Sequence, residues 1–485
     1  MAITEEQFKA FIESTSKAAT LVREKAEKGN RIRVVSHLDA DGIAAAGIIG
    51  ETLLRLGANF RIRIQQWMDE KIVGELVSDK PDLAILSDMG SGYLELLCAG
   101  LKGFEAIILD HHQPIGENSC STLLQVNPHL QGIDASRDLS GAGVCYFVAK
   151  AVDSGNVDLA PIAVVGALGD LQDKYDQKSL GGLNRIIVED AVKAGIMKEE
   201  KDLVFFGRET RQIHKALANT TSPFIPGISG EEDKSLAFLA SLGITPKNGD
   251  RWRALRDLSE EEKTKLCSAL VDHLVANGYS NIALNLIGNV YILLKEEPWT
   301  PLRDGREFSV LLNATGRLNR PSLGVALCMG DRTSALDQAK HTLEEYRRTI
   351  TKYLSWIMEK PGRMEELDNV YLVRGDNFID EKVVSTISSI LSNGLPKPEK
   401  PLLAYAKVPE EDSVKFSART LDMMTAKGLD LGEIMRLAAE KFEGRGGGHN
   451  IAAGAQVPIE NVDAFIRYVN ELVKQQLGGK DKTSL

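Results

Sequence analysis

Ile32-Arg33-Val34-Val35-Ser36-His37-Leu38-Asp39-Ala40-Asp41-Gly42 passes from an apolar, β-branched run into one imidazole and two carboxylates at alternate positions, then into a small-residue segment over 43–56. The apolar run predicts a buried strand and the small-residue run a helix, so the polar triplet falls where the strand stops. Alternate side chains of an extended chain share a face, which aims His37, Asp39 and Asp41 into one cleft. Two carboxylates that close repel each other and lose hydration, so they need a cation or helix amides to offset the cost. An Asp-Gly pair ahead of a helix is also an ordinary N-cap, and this stretch alone leaves metal ligation and capping both open.

Three later stretches end in the same way. The run 82–87 leads into Asp88 and Gly90, and the run 104–109 leads into Asp110-His111-His112. The run 161–169 leads into Asp170, with small residues that suit a helix as well as a strand. Parallel α/β sheets carry their chemistry at the C-terminal edges of the strands, so these four termini are expected to meet in a metal cluster. Histidine and aspartate without thiolate suit Mn²⁺ or Mg²⁺ better than structural zinc.

The motifs, with Leu139-Ser140-Gly141-Ala142-Gly143, Asn313-Ala314-Thr315-Gly316-Arg317 and a distant Gly446-Gly447-Gly448-His449-x-x-Ala452-Ala453-Gly454, resemble the DHH phosphoesterase superfamily with its DHHA1 domain, most of all the RecJ-like nucleases of archaea. The resemblance implies an α/β fold: a parallel-sheet DHH catalytic domain, a smaller α/β DHHA1 domain, and helical connecting or inserted segments. It implies two ions, Mn²⁺ or Mg²⁺, with His37, Asp39 and Asp88 on one and Asp41, Asp88, His111 and Asp170 on the other. A water activated by both ions would attack phosphorus. Asp110 would orient its histidine neighbours, while His112, Arg419, His449 and the glycines Gly446, Gly447 and Gly448 would take the substrate phosphate. The implied activity is that of a single-strand exonuclease on DNA or RNA, 5′ to 3′ in the usual RecJ direction, releasing mononucleotides in DNA replication or repair. The implied protein partner is the GINS complex of the replicative helicase. Two alternatives stand beside it: a phosphodiesterase for dinucleotides or short oligonucleotides, and a GINS-binding replisome scaffold without catalysis. A degenerate scaffold has no need of clustered, mutually repelling carboxylates, and every motif position is present, which favours the enzyme.

The chain of 485 residues exceeds one typical core, and 43% hydrophobic with 26% charged residues is ordinary for a soluble globular protein. A net charge of -10 argues against a generally basic nucleic-acid coat, though not against a basic cleft in an acidic surface. Cysteines at 98, 120, 145, 267 and 328 are odd in number and show no close pairing, so neither a zinc ribbon nor a disulfide framework is expected, and a cytoplasmic location follows. The most apolar late run, 282–294, is too short for a membrane span and is broken by Asn and Gly.

The expected domains are an N-terminal helix over 1–30, the metal domain over 31–222, a helical connection over 223–278, a second domain over 279–478 with an added helical stretch near 334–360, and a flexible tail over 479–485. Ser140 reads as a helix cap, and Ser140, Arg317 and Arg320 are candidate nucleic-acid contacts. Trp252, between Arg251 and Arg253, reads more readily as a core residue than as a base-stacking one. In the second domain, 323–329 and 412–420 read as strands and 431–442 as a helix. The glycine run then precedes a small helix-like segment, 451–455, whose exposed amides would suit a phosphate.

Overall fold

Strand β1 (Arg31–His37), helix α1 ahead of it (Glu5–Glu27) and α2 behind it (Ala40–Arg55) open an alternation that continues through β2 (Asn59–Gln65), α3 (Glu70–Asp79), β3 (Leu83–Ser87), α4 (Leu94–Gly100), β4 (Glu105–Leu109) and β5 (Leu123–Val126). In this computed structural model the five strands form one sheet in the order β2-β1-β3-β4-β5. Every pairing is parallel, with Val34 opposite Ile62 on one side and Ile85 on the other. The structure describes residues 3–101, 103–220, 225–360, 362–392, 395, 397–409 and 411–478. All five residues of β3 are buried, as expected for a strand covered by helices on both faces.

The small residues after the motif have a packing reason. Helix α2 is buried along nearly its whole length and meets α5 (Gly141–Val152) and α6 (Ala160–Gly169). Such close helix neighbours leave room for Ala and Gly but not for longer side chains. The open reading of 161–169 is therefore settled as helix. Helix α1 begins in a capping box between Thr4 and Gln7 and packs Phe11 edge-on against Phe147, ring centres 5.4 Å apart.

The chain divides into two compact units, Met1–Leu343 and Glu344–Leu485. The first unit therefore runs beyond the division read from the sequence at 278/279. In it, Met197–Leu203 pairs antiparallel with Ile287–Leu293, and helices including Ile213–Ala218, Glu232–Ser241 and Glu260–Ala276 enclose a separate core with Leu217, Leu239 and Leu266. Helices Gly305–Arg317 and Pro321–Cys328 then pack against α2. Residues 323–329, expected as a strand, belong to the second of these helices apart from Met329, its C-cap. A short apolar run does not separate helix from strand, and the Pro in the first turn was the missed signal. Trp252 is a surface residue, 36% exposed with the Lys247 ammonium 4.5 Å from its ring centre, so the core reading is corrected.

The second unit holds a six-stranded sheet, in order Met364–Glu366, Tyr371–Arg374, Leu402–Lys407, Ser413–Arg419, Ala452–Pro458 and Arg445–Gly448. Only Tyr371–Arg374 and Leu402–Lys407 run parallel. Helices Leu431–Lys441 and Val462–Gly478 complete a core around Phe416, Ile434 and Phe465. Most of the segment 451–455, expected as a helix, lies in strand Ala452–Pro458, and the glycine run before it is an edge strand. A Cβ on Gly446 would lie 2.6 Å from the Met435 carbonyl, so glycine there lets helix Leu431–Lys441 lie close over the edge. The helical stretch expected near 334–360 is Ser334–Glu359. The expected tail 479–485 and positions 222–224 of the expected boundary turn lie outside the described residues.

One cysteine expectation is overturned. Cys98 and Cys120 form a disulfide with Cα atoms 5.5 Å apart. Their 22-residue separation carries no motif, because α4 and the loop before β5 meet only through the parallel crossover. Among the described residues, no helix is long and apolar enough to cross a membrane.

Candidate metal centre

The C-terminal ends of β1, β3 and β4 and of helix α6 bring the predicted ligands together. Three groups have ligand atoms within 4.8 Å of one another: His37, Asp39 and Asp88; Asp41, His111 and Asp170; and Asp88, His111 and His112. Asp88 links them. Its Oδ2 is 3.7 Å from His37 Nδ1, and its Oδ1 is 3.4 Å from His111 Nε2. It follows β3 with a left-handed φ of 54°, a conformation costing a non-glycine residue on the order of 1–3 kcal/mol. The Asp88 N–H donates to the Leu109 carbonyl at 2.8 Å, which holds this backbone in place.

The capping alternative for the first motif is also realised, by division of labour. Asp39 is the N-cap of α2 and accepts from the Gly42 amide at 3.0 Å through Oδ1, while its Oδ2 lies 3.0 Å from His37 Nδ1. Asp41, in the first turn of α2, accepts from the Gly141 and Ala142 amides at 2.7 and 3.0 Å. The positive end of helix α5 thus faces a buried carboxylate. A Cβ on Gly141 would lie 2.4 Å from Asp88 Oδ1, so the glycine allows both aspartates to approach. Ser140 is fully buried and its Oγ accepts from the Gly143 amide at 3.2 Å. It is a cap without exposed surface, which corrects its reading as a nucleic-acid contact.

The two adjacent imidazoles are held differently. His111 is buried, with Nδ1 3.1 Å from the Ala135 carbonyl. A carbonyl only accepts, so Nδ1 carries a proton and Nε2 faces Asp88, Asp41 and Asp170 at 3.4, 3.7 and 3.8 Å. Asp110 turns one oxygen to the Ser91 amide at 2.9 Å and the other to His112 Nδ1 at 2.8 Å. It therefore orients the His112 ring but not the His111 ring, whose side chain is positioned by the 134–136 loop. Gln172 is fully buried and donates to that Ala135 carbonyl at 3.0 Å and to Asp170 at 2.8 Å, and Asn184 holds its other end at 2.7 Å. Sequence reading missed Ala135, Gln172 and Asn184. The nearness of Gln172 to Asp170 in the chain was the one signal available.

The second half of the resemblance packs here too. Asn313 accepts from the Ala40 amide at 3.1 Å, and a Cβ on Gly316 would lie 1.7 Å from the Leu38 carbonyl. Helix Gly305–Arg317 thus braces the loop that carries the first ligands. Arg317, at its end, contributes favourable charge to Asp39. Arg320 donates to Thr342 at 3.0 Å.

The electrostatics are those of an anionic cluster. Burial disfavours protonation of His37, but Asp39 and Asp88 outweigh it and raise the imidazole to about 10. Burial, followed by the Asp88 charge, pushes Asp41 well above the usual carboxylate range. Burial likewise works against charge on His111, yet Asp170, Asp88 and Asp41 raise it well above its ordinary value. Asp39 and Asp110 are held low despite burial, by His37 and His112 respectively. Protons thus accumulate where carboxylates crowd, and buried His37 Nδ1 and Asp88 Oδ1 are met only by the ionisable groups of the cluster itself. A divalent cation fits this donor set, offsetting the repulsion and engaging those atoms.

In the second unit, Arg419 lies opposite Ala452 in the sheet, and the His449 amide donates to the Ala452 carbonyl at 2.9 Å. Arg419 and the Gly446-Gly447-Gly448-His449 segment therefore meet at one end of that sheet. The Arg419 Nε donates to Ser389 Oγ at 2.8 Å.

Three family models match the chain: "DHH family, N-terminal domain" over 31–168, "DHH-CID domain" over 205–287 and "DHHA1 domain" over 368–475. An uncharacterized protein of Methanocaldococcus jannaschii is 33% identical over 452 residues, covering 92% of this chain and 94% of its own. The single-stranded-DNA-specific exonuclease RecJ of Thermus thermophilus is 30% identical over 187 residues, 36% of this chain and 27% of that one. The crystal structure of that RecJ with Mn²⁺ shares the fold, with a TM-score of 0.58 at 20% identity, covering 95% of this chain and 55% of the other. The fold is shared as well by CDC45 of Entamoeba histolytica, with a TM-score of 0.64 at 12% identity, covering 96% and 99% of the two chains. With this ligand geometry and domain order, the chain belongs to the DHH family of metal-dependent phosphoesterases, in its RecJ-like group with a DHHA1 domain.

Proposed function

We propose that the protein is an exonuclease for single-stranded nucleic acid that uses two divalent cations, Mn²⁺ or Mg²⁺, and releases mononucleotides, most naturally in the 5′ to 3′ direction and in DNA replication or repair. The single observation that carries this reading is the position of Asp88, between His37 on one side and His111 on the other. His37, Asp39 and Asp88 would hold one ion, and Asp41, Asp88, His111 and Asp170 the other. When bound, such a pair acidifies water and polarises a phosphodiester for in-line displacement.

The chain's own groups supply the rest. Helix α5 amides and the Gly42 amide hold Asp41 and Asp39 in place, so the donors are set before any ligand arrives. Asp110 fixes the His112 ring through Nδ1 and, against the opposing effect of burial, favours its protonated form, so that the imidazolium Nε2–H would donate to a phosphate oxygen. Arg419, His449 and the adjoining glycines would bind a further phosphate of the strand.

A second reading is supported by the CDC45 fold likeness: a replisome scaffold, with the GINS complex as partner. The test is product analysis with Mn²⁺ and end-labelled single-stranded DNA, RNA and a dinucleotide, with Asp88→Ala as control. Stepwise mononucleotides that vanish in the control are expected, and the label reports polarity. Cleavage of the dinucleotide alone would replace the long-strand substrate with a short one, and no cleavage of any substrate would leave the scaffold.

A further inference from the structure

The Asp134-x-x-Arg137-Asp138 stretch has a second face. On one side the Ala135 carbonyl meets the His111 imidazole at 3.1 Å. On the other side, two and three residues later, Arg137 and Asp138 line an open cavity of about 710 Å³, together with Tyr175, the Glu5 carboxylate and apolar walls from Phe8, Leu183 and Ile186. Two residues of extended chain span at most roughly 7 Å, so this cavity begins close behind the His111 imidazole, on its Nδ1 side. Its volume lies in the range of small-molecule sites, about 300–1,000 Å³.

The lining is specific in kind. The Arg137 guanidinium lies over the Tyr175 ring, 4.0 Å from its centre. Tyr175 donates its hydroxyl to Asp138, which fixes the edge of the ring. The Arg137 Nε is buried, 3.5 Å from Asp138 Oδ1. The cavity therefore combines apolar walls, a π-stacked cation and two carboxylates, Glu5 and Asp138. A nucleobase matches this set: its faces pack on Phe8 and Ile186, its amino edge donates to Asp138, and an attached phosphate pairs with Arg137.

We propose that this cavity is a nucleotide-binding subsite that holds the base of a residue next to the scissile bond, or of the released mononucleotide. The proposal rests on the nuclease reading for its biological meaning, but binding itself does not require catalysis. The loop 134–138 would then couple the two events, since it both orients His111 and contacts the base.

The test is calorimetric titration of the full chain, in chelator, with AMP, GMP, CMP and inorganic phosphate. Saturable one-to-one binding of a mononucleotide is expected, with inorganic phosphate at least 10-fold weaker. Arg137→Ala should weaken the nucleotide about 10-fold, Ile186→Trp should abolish binding by filling the cavity, and Asp88→Ala should leave it intact. If Ile186→Trp does not fold, Arg137→Ala decides alone. Absence of saturable binding, equal binding of inorganic phosphate, or binding lost in Asp88→Ala and kept in Arg137→Ala would overturn the subsite. Strand cleavage without nucleotide binding would reject the subsite and keep the nuclease, and binding without cleavage of any strand would do the reverse.

Discussion

The five-stranded and six-stranded sheets gather their polar residues by different means. In the five-stranded sheet of the first unit every pairing is parallel, so each strand must deliver its last residues to the same edge. His37, Asp88 and the Asp110-His111-His112 run meet there because the topology repeats. In the second unit Ser413–Arg419 and Ala452–Pro458 are antiparallel, so Arg419 leaves one strand where the other is entered from His449. Their meeting depends on register, Arg419 opposite Ala452, and not on repetition. A parallel edge can be read from where strands end, whereas an antiparallel edge requires the pairing itself.

Mutations can break or sharpen this contrast. The largest effect is expected at Asp88, where the strand ends converge. Loss of groups that merely orient metal ligands costs roughly 10–100-fold, and a shared ligand should exceed that. Asp88→Ala is therefore expected to lower turnover by more than about 100-fold while the folded state persists, checked by strand cleavage alongside circular dichroism. Retained cleavage would mean that the edge does not converge on one chemical centre.

The disulfide comes next, because it closes the loop that carries Asp110, His111 and His112 in the first unit. A loop of this size restricts the unfolded chain by about 3 kcal/mol. Cys98→Ser should lower the stability of the first unit by that order in denaturant titration under oxidising conditions, and should have no effect in reductant. A smaller effect is expected at Gln172, which supports Ala135 and Asp170. Gln172→Leu should weaken Mn²⁺ affinity by roughly 10–100-fold, seen by titration, with little change in fold.

The smallest effect belongs to the second sheet. Gly446→Ala would set a Cβ against the Met435 carbonyl at 2.6 Å. Overpacking of this kind costs about 1–3 kcal/mol, and the backbone can relax at an edge strand. Hydrogen exchange should show loosening in Leu431–Lys441 and no change at β1 or β3. A stable variant with lost phosphate affinity would instead assign the glycine to the ligand.

The same contrast explains what was legible in the sequence. The candidate metal ligands can be read because each follows an apolar strand or helix and carries chemistry that a core does not need. The anchors of Asp41 could not be read, since the Gly141 and Ala142 amides lie 100 residues or more away and backbone donors leave no side-chain signature. Gln172 and the Ala135 carbonyl were hidden for a similar reason. The Asn313-to-Arg317 stretch reads in the sequence as a motif of the second domain. Its real position beneath the first motif, with Gly316 against Leu38, depends on long-range packing. The glycine run was read as a phosphate-binding turn because glycine permits many geometries, and its actual strand follows from close approach of the Leu431–Lys441 helix.

The central claim is that Asp88 joins two metal sites, and Mn²⁺ binding followed by electron paramagnetic resonance tests it most directly. The account predicts two Mn²⁺ per chain with a spin-coupled signal in the native protein, and at most one, uncoupled, in Asp88→Ala. A single isolated Mn²⁺ in the native protein, or an unchanged coupled pair in Asp88→Ala, would contradict it.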